Sequence, residues 1–322
     1  MPEGHSVHRL ARQFGDVFTG ARLAASSPQG RFAAGAARID GRVLQSAAAH
    51  GKQLFLHFDN ELVLRTHLGL YGAWDFGGDE NFTGASSIGA PRRIGEVELP
   101  GATAGRDRAG GDSGGVTKQA GTEGSACPVT PRYSGPPKPV GAVRVRLVSA
   151  HGWADLRGPS ACEVITTAEA AAAVALLGPD PLQNASDAQA EFARRMAGRD
   201  TAVGVLLMDQ QVLAGVGNVY RAEVLFRQRL HPLLPGSALS AKELGGLWQD
   251  IVSVMTDGVR DGRIITTLPQ DRASSGTPVA VEDAHYVYKR GSLPCRICGT
   301  DIALADLRGR KVYWCPTCQP AR

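Results

Sequence analysis

Met1-Pro2-Glu3-Gly4-His5-Ser6-Val7-His8-Arg9-Leu10 opens the chain, and the helix that begins within it decides how the rest of the fold is built. Val7, Leu10, Ala11 and Phe14 recur at the spacing of one helical face, while His8, Arg9 and Arg12 fall on the other, the pattern of an amphipathic helix. Proline suits a first turn, where its missing N–H has no intrahelical partner to lose, and Glu3 is favoured by the positive end of the helix dipole. Helix geometry alone accounts for both residues. A chemical reading begins with removal of Met1, which the small second residue permits, so that Pro2 presents a secondary amine. An α-amino group titrates at about pH 8, and the positive helix end disfavours its ammonium form. A neutral amine can attack an electrophilic carbon and leave a Schiff base, with Glu3 beside it to move the proton.

The far end of the chain carries the most specific signal. Cys295-Arg296-Ile297-Cys298 and Cys315-Pro316-Thr317-Cys318 are two C-x2-C knuckles with 16 residues between them, the spacing that lets four thiolates surround one zinc ion. Four protein ligands leave no open position, so this zinc is structural and does not activate water. The intervening hairpin carries Arg308, Arg310 and Lys311 and is small enough that the metal supplies most of its folding energy. It has the character of a basic finger for a nucleic-acid backbone or groove.

Between these ends, Leu54-Phe55-Leu56-His57-Phe58 and Leu62-Val63-Leu64-Arg65 flank the turn Asp59-Asn60-Glu61 as a hairpin within a strand-rich run over residues 38–72. Gly51-Lys52 precedes the first of these strands, and a lysine in such a turn is either solvated or placed to meet a phosphate. His67-Leu68-Gly69-Leu70-Tyr71-Gly72 sets a leucine and a tyrosine between glycines, for burial in a core or for display. Periodicity collapses over residues 77–140, most completely in 101–141, which is dense in Gly, Ser, Thr and Pro and reads as a disordered insertion. Val143, Val145 and Leu147 alternate with Arg144 and Arg146, a strand with a basic face, and Trp153 to Arg157 continues the pattern before the β-rich region closes near Pro159. Residues 167–177 read as an alanine-rich helix, capped by Thr and stopped by Gly178-Pro179.

From residue 190 to 259 the pattern is helical, interrupted by Ala214-Gly215-Val216-Gly217-Asn218. A dinucleotide fingerprint would need glycine at position 220 and a strand before it; Tyr220 and a helical run stand there instead. What remains is a glycine turn feeding a helix that carries Val219, Ala222, Leu225 and Phe226 inward. It is either a plain interhelical turn or a helix N-terminus whose N–H groups, with the Asn218 amide, bind a phosphate.

At 322 residues the chain has room for about two domains. Its net charge of +4 decides little until it is located: residues 289–322 hold seven basic side chains against Asp301 and Asp306, so the tail is the basic part. The start lacks signal-peptide form and no apolar run spans a bilayer, so a soluble intracellular protein is expected. With four of six cysteines in the last 30 residues, a metal site is favoured over a disulfide framework, leaving Cys127 and Cys162 as bystanders.

Five landmarks in this order, Pro2-Glu3-Gly4, Gly51-Lys52, residues 67–72, residues 213–226 and the four cysteines, resemble the formamidopyrimidine-DNA glycosylase and endonuclease VIII family of bifunctional base-excision repair enzymes. Gly4 and the Leu70-Tyr71 pair look more like the endonuclease VIII branch. The resemblance implies an α+β multidomain fold: an N-terminal β-sandwich flanked by helices over residues 1–160, a helix-two-turn-helix domain over 161–285 and a zinc-finger hairpin over 286–322. It implies that Pro2 attacks C1′ of the damaged nucleotide and Glu3 assists sugar opening, with strand cleavage by β,δ-elimination. Lys52, Asn218 and Arg310 would hold phosphates, Leu70 and Tyr71 would enter the gap left by the flipped nucleotide, and Arg157 would face the orphaned base. Base flipping unites these roles, because C1′ cannot be attacked while the nucleotide is stacked. The implied protein is a monomeric, cytoplasmic, nucleoid-associated bacterial enzyme with one zinc, acting on damaged duplex, single-stranded or bubble DNA. The sequence departs from the family at Ser6, where a second acid often stands, and at Gly69, where endonuclease VIII has a polar wedge residue. Residues 266–283 form a segment long enough to fold as a lid over a flipped purine. A non-catalytic damage-binding protein would share the helix turn and the finger but has no need of Pro2, Glu3 and Lys52 together.

Overall fold

The computed structural model describes residues 2–90 and 135–322. Helix α1 (Gly4–Phe18) leads into β1 (Arg22–Ser26), α2 (Ala33–Ile39) and the antiparallel run β2 (Arg42–His50), β3 (Gln53–Phe58), β4 (Leu62–His67), β5 (Ala73–Gly78) and β6 (Ser87–Gly89). After the undescribed residues come β7 (Val143–Val148), β8 (Gly152–Arg157) and β9 (Ala161–Thr166). The nine strands are ordered β6-β5-β8-β7-β1-β2-β3-β4-β9. Strand β1 changes partners halfway: Arg22 and Leu23 pair with β2, whereas Ala24 to Ser26 pair with β7. It is the corner of the sandwich, for Leu44, Leu56 and Leu64 from one half and Trp74, Val145 and Leu156 from the other line a single core with Phe14 and Phe18 of α1.

Several expectations from the sequence are corrected by this architecture. Arg38 lies in α2 and not in a strand, since Ala33, Ala34, Ala36 and Ala37 supply helix propensity that a strand would waste. The strand region does not close near Pro159, because β9 pairs along the whole of β4, from Leu62 opposite Thr166 to His67 opposite Ala161. The expected insertion over residues 77–140 includes ordered sheet: β6 pairs with β5, Ile88 is buried, and the Gln13 side chain bonds both backbone groups of Ala85. Of its remainder, residues 91–134 lie outside the described residues.

The basic face of β7 is also not what alternation suggests. Arg146 is buried and makes two bonds, 2.7 and 2.6 Å, to Asp155 directly across the β7–β8 ladder. Arg157 is likewise buried, its Nε 2.5 Å from Asp75 on β5. Asp75 and Asp155 are themselves register partners, so two arginines neutralise two opposed carboxylates inside the sheet. Arg157 is thus engaged in this ladder through Asp75.

The second half is helical: α3 (Thr167–Ala175), with a Thr166–Glu169 capping box, α4 (Ala188–Met196), α5 (Val203–Leu206), α6 (Asn218–Arg227) and α7 (Ala241–Asp261), capped by Ser240 and Glu243. Two tight turns over residues 207–217 join α5 to α6, giving the helix-two-turn-helix motif. The chain ends in the hairpin β10 (Ala303–Leu307) and β11 (Arg310–Trp314), closed by Arg308 and Gly309 at positive φ, as a two-residue turn requires. This finger is not a detached unit. Cys295, Cys315 and Ile302 share a core with Val219, Ala222 and Phe226 of α6. Among the described residues no helix is long and apolar enough to cross a membrane.

Candidate active site

Glu3 is the backbone N-cap of α1, but its side chain makes no capping bond there. The carboxylate instead crosses to the start of α6, where Oε2 accepts from Gly217 N (2.8 Å) and Tyr220 N (3.4 Å) and Oε1 from Val219 N (2.9 Å). The three N–H groups and the positive helix end favour an anion at that point. Gly217 is required for this contact, since a Cβ there would lie 2.5 Å from Glu3 Cδ. The N–H groups at the α6 N-terminus, where the sequence left open a plain turn or a phosphate site, are taken up by a protein carboxylate. Gly4 N donates to Gly215 O (2.9 Å) and fixes the start of α1 against the same turn, with Pro2 buried beside it.

Lys52, half-buried at the β2–β3 turn, belongs to the same cluster. Burial pushes its ammonium below the usual range, with Glu3 opposing that shift and Arg310 adding to it. Arg310 stands exposed at the start of β11. Asn218 opens α6, and its amide donates to Lys311 O (3.1 Å), so its side chain ties the finger to the helix. The structure accordingly brings Pro2, Glu3, Lys52, Asn218 and Arg310 into one neighbourhood where α1, the β2–β3 turn, α6 and β11 converge.

Leu70 and Tyr71 project from the loop between β4 and β5, 46% and 61% exposed, which decides between burial and display. The loop is held from beneath: Leu68 is buried, Gly72 N donates to Leu68 O (2.9 Å), and Gly69 N donates to His67 Nδ1 (3.1 Å). Burial keeps His67 below its usual range, and Lys52 and Arg65 push it further, so the imidazole is neutral.

Several residues of this site were not found by sequence reasoning. Arg221 is fully buried and donates to Gly204 O (3.2 Å), to Lys311 O (2.9 Å) and to Asn218 Oδ1, joining α5, α6 and the finger. Its position among the inward-facing Val219, Ala222 and Leu225 was the available signal. Glu223, also buried, accepts from the backbone of Tyr286, Val287 and Tyr288 (2.8–2.9 Å) and from the Thr266 hydroxyl. Residues 266–283 are thereby fixed at their ends, with Thr266 N on Ala284 O (2.9 Å) and Thr267 Oγ1 on Asp283 O (2.6 Å). The Tyr288 phenol is pushed up to about 12 by burial and by Glu3. His5 is pushed down to about 3 by burial and by Arg9, and packs edge-on against Tyr220 at 5.5 Å.

The four cysteine sulfurs lie within 4.8 Å of one another, with Cys298–Cys315 at 3.4 Å and Cys295–Cys318 at 3.9 Å. A tetrahedral ion with Zn–S bonds of ~2.3 Å spaces its sulfurs ~3.8 Å apart, so the cage fits zinc. Backbone N–H groups of Ile297 and Cys318 donate to Cys295 Sγ and Cys315 Sγ, as thiolates invite. One structural zinc is held here.

Residues 1–98 match the formamidopyrimidine-DNA glycosylase N-terminal domain, residues 177–269 the formamidopyrimidine-DNA glycosylase H2TH domain and residues 292–321 the zinc finger found in FPG and IleRS. The chain is 41% identical over 321 residues to endonuclease 8 1 of Mycobacterium tuberculosis, covering 99% of this chain and all of that protein. It is 40% identical over 146 residues to the formamidopyrimidine-DNA glycosylase of Methylococcus capsulatus, which spans 45% of this chain and 53% of the relative. In fold it is similar to the Lactococcus lactis Fpg solved with an N7-benzyl-Fapy-dG-containing DNA, with a TM-score of 0.68 at 17% identity over 99% of this chain and 100% of that one.

Proposed function

Because the chain belongs to the formamidopyrimidine-DNA glycosylase and endonuclease VIII family of DNA glycosylase/AP lyases, we propose that it excises oxidised bases from DNA through a Schiff base on Pro2. The observation that carries this reading is the Glu3 carboxylate seated on the α6 N-terminus beside Pro2, with Lys52 and Arg310 in electrostatic reach. With Met1 removed, the Pro2 nitrogen attacks C1′ of the flipped nucleotide. A C1′–N bond to the protein forms as the glycosidic bond breaks and the base leaves. Glu3 takes the proton that the Pro2 nitrogen loses and delivers it to the sugar ring oxygen, so the ring opens to an iminium. The iminium acidifies the C2′ hydrogen, and successive β- and δ-eliminations expel the 3′ and 5′ phosphates.

Lys52, Asn218 and Arg310 grip phosphates around the lesion and position it without reading sequence. Leu70 and Tyr71 fill the vacated space: an apolar wedge and an aromatic face stack for ~1–3 kcal/mol per base and read no hydrogen-bond edge. Selectivity then rests on how readily the damaged nucleotide leaves the stack, and ring-saturated or fragmented pyrimidines, having lost planarity, stack poorly. Faster excision of such pyrimidines than of 8-oxoguanine opposite cytosine is expected, with activity on single-stranded or bubble DNA and action as a monomer.

The test is borohydride trapping of tag-free protein on a panel of lesion and abasic oligonucleotides. Wild type is trapped covalently and Pro2→Gly is not; undiminished trapping of Pro2→Gly assigns the amine elsewhere, to Lys52 first. Single-turnover rates on thymine glycol, 5-hydroxyuracil and 8-oxoguanine, with Leu70→Ala and Tyr71→Ala alongside, decide the lesion. A preference for 8-oxoguanine reverses the branch assignment and gives residues 266–283 the role of a purine lid.

A further inference from the structure

Asp180 is used by nothing in this scheme, yet it is fully buried and bonded to two other segments as well as to its own. Its Oδ2 accepts from Gly51 N (2.7 Å) and lies 2.7 Å from His8 Nε2, while Oδ1 accepts from Leu182 N (2.9 Å). Burial alone would push its carboxyl up; His8 and the backbone donors overcome this and hold it below the usual range, so the group is an anion. Gly51 is the residue before Lys52, and His8 lies one turn along α1 from Gly4, so Asp180 joins the lysine turn to the helix that carries Pro2 and Glu3.

The surroundings leave the turn little freedom. Gly51 has φ +57°, and a Cβ on it would lie 2.9 Å from both Ala214 Cβ and Gly215 N, so the turn is pressed against the motif that leads into α6. The strap bearing Asp180 is laced on both sides: Gly178 O lies 2.9 Å from His50 Nε2, Gln183 Nε2 donates to Ala49 O (2.8 Å), Gly178 N donates to Gln210 O (2.8 Å) and Ala214 N donates to Pro179 O (3.0 Å). A rigid strap holding one anion against the backbone of the lysine turn is a device for orientation, because a buried charged acceptor sets the direction of its donors more strongly than a neutral one.

We propose that Asp180 is a positioning residue for Lys52: through the Gly51 N–H and His8 it fixes the Lys52 ammonium relative to Pro2 and Glu3. Resting on the reading of Lys52 as a phosphate-gripping residue of the site, the proposal adds that the grip is productive only while Asp180 orients it. Misplacing a substrate-positioning group by about 1 Å costs on the order of 10²-fold in rate.

A double-mutant cycle on the full-length protein tests this, with single-turnover excision from a thymine glycol duplex as the readout and thermal melting as the check on folding. Asp180→Asn keeps the volume and removes the charge; Asp180→Glu serves the same cycle if the asparagine variant does not fold. Asp180→Asn is expected to slow excision by about 10- to 100-fold, and in a Lys52→Gln background to cost almost nothing further, because the group it acts through is gone. Affinity for undamaged duplex stays within about twofold of wild type, since the remaining phosphate contacts are untouched. Losses that multiply in the double variant overturn the proposal, because a residue that merely supports the fold adds its cost whatever stands at position 52. Wild-type rates for Asp180→Asn overturn it as well. Wild-type rates for Lys52→Gln alone bring down the reading of the site beneath it, and the proposal falls with that reading.

Discussion

Replacing Glu3 by glutamine separates what the carboxylate does for the fold from what it does for the reaction. The side chain uses both oxygens on α6, for Val219 on one and for Gly217 and Tyr220 on the other. An amide offers one acceptor, so whichever way it is turned at least one buried N–H faces an NH2 group. An unsatisfied buried donor costs ~1–3 kcal/mol, and the lost charge at a helix N-terminus ~0.3–1 kcal/mol more. A total of about 2 kcal/mol lowers Tm by ~4–8 °C in a folded unit of this size. Loss of the proton carrier slows single-turnover excision of a damaged base by ~10²–10⁴-fold, whereas DNA affinity is retained, since a negative charge has left a site that binds phosphates. Gly217→Ala supplies the matched control: its Cβ would press on Glu3 Cδ and unseat the carboxylate without neutralising it, so Tm and excision fall together there too. Differential scanning fluorimetry and quenched-flow excision measure the two effects on the same preparations. An unchanged Tm for Glu3→Gln would show that the carboxylate does not cap α6, and a full excision rate would remove Glu3 from the proton transfer.

Removing zinc by chelation or by Cys315→Ser is expected to abolish DNA binding and to expose α6 to hydrogen exchange while the sandwich stays protected, because Cys295 and Cys315 share a core with Val219 and Phe226; zinc-free protein that binds DNA normally would refute this. Arg310→Ala should weaken binding to all sequences and flatten the dependence of log K on log salt by about 0.9, the value of one lost phosphate contact, and an unchanged slope would place Arg310 off the backbone.

What could be read from the chain was local. The two C-x2-C knuckles, the Thr cap of α3, the hairpin around residues 59–61 and the apolar face of α1 each declare themselves within a few residues, and all stand where their spacing puts them. What could not be read was partnership across the chain. Arg146 and Arg157 alternate with apolar neighbours as a solvated basic face would, and only the pairing of β8 with both β7 and β5 shows that Asp155 and Asp75 await them. Strand β9 escaped notice because a short mixed run such as Ala161–Thr166 gains strand character from the β4 edge beside it. Asp180 gave no signal at all, as a carboxylate between two prolines has the look of a turn residue.

Glu3 shows most sharply why a local reading of a site falls short. At a helix start, acid and dipole agree, and nothing within the first ten residues distinguishes an acid that serves its own helix from one that serves another. The choice is made 214 positions away by Gly217, whose missing side chain opens the α6 N-terminus to a visitor. Once the carboxylate is there, the helix that follows Pro2 and the helix that ties down the basic finger are held by the same three hydrogen bonds. Arg221 and Asn218 extend that connection to Lys311, next to Arg310. Glu3, proposed as the proton carrier, and the strand that bears Arg310, proposed as a phosphate grip, are therefore joined through the first turn of α6 by one continuous chain of polar contacts.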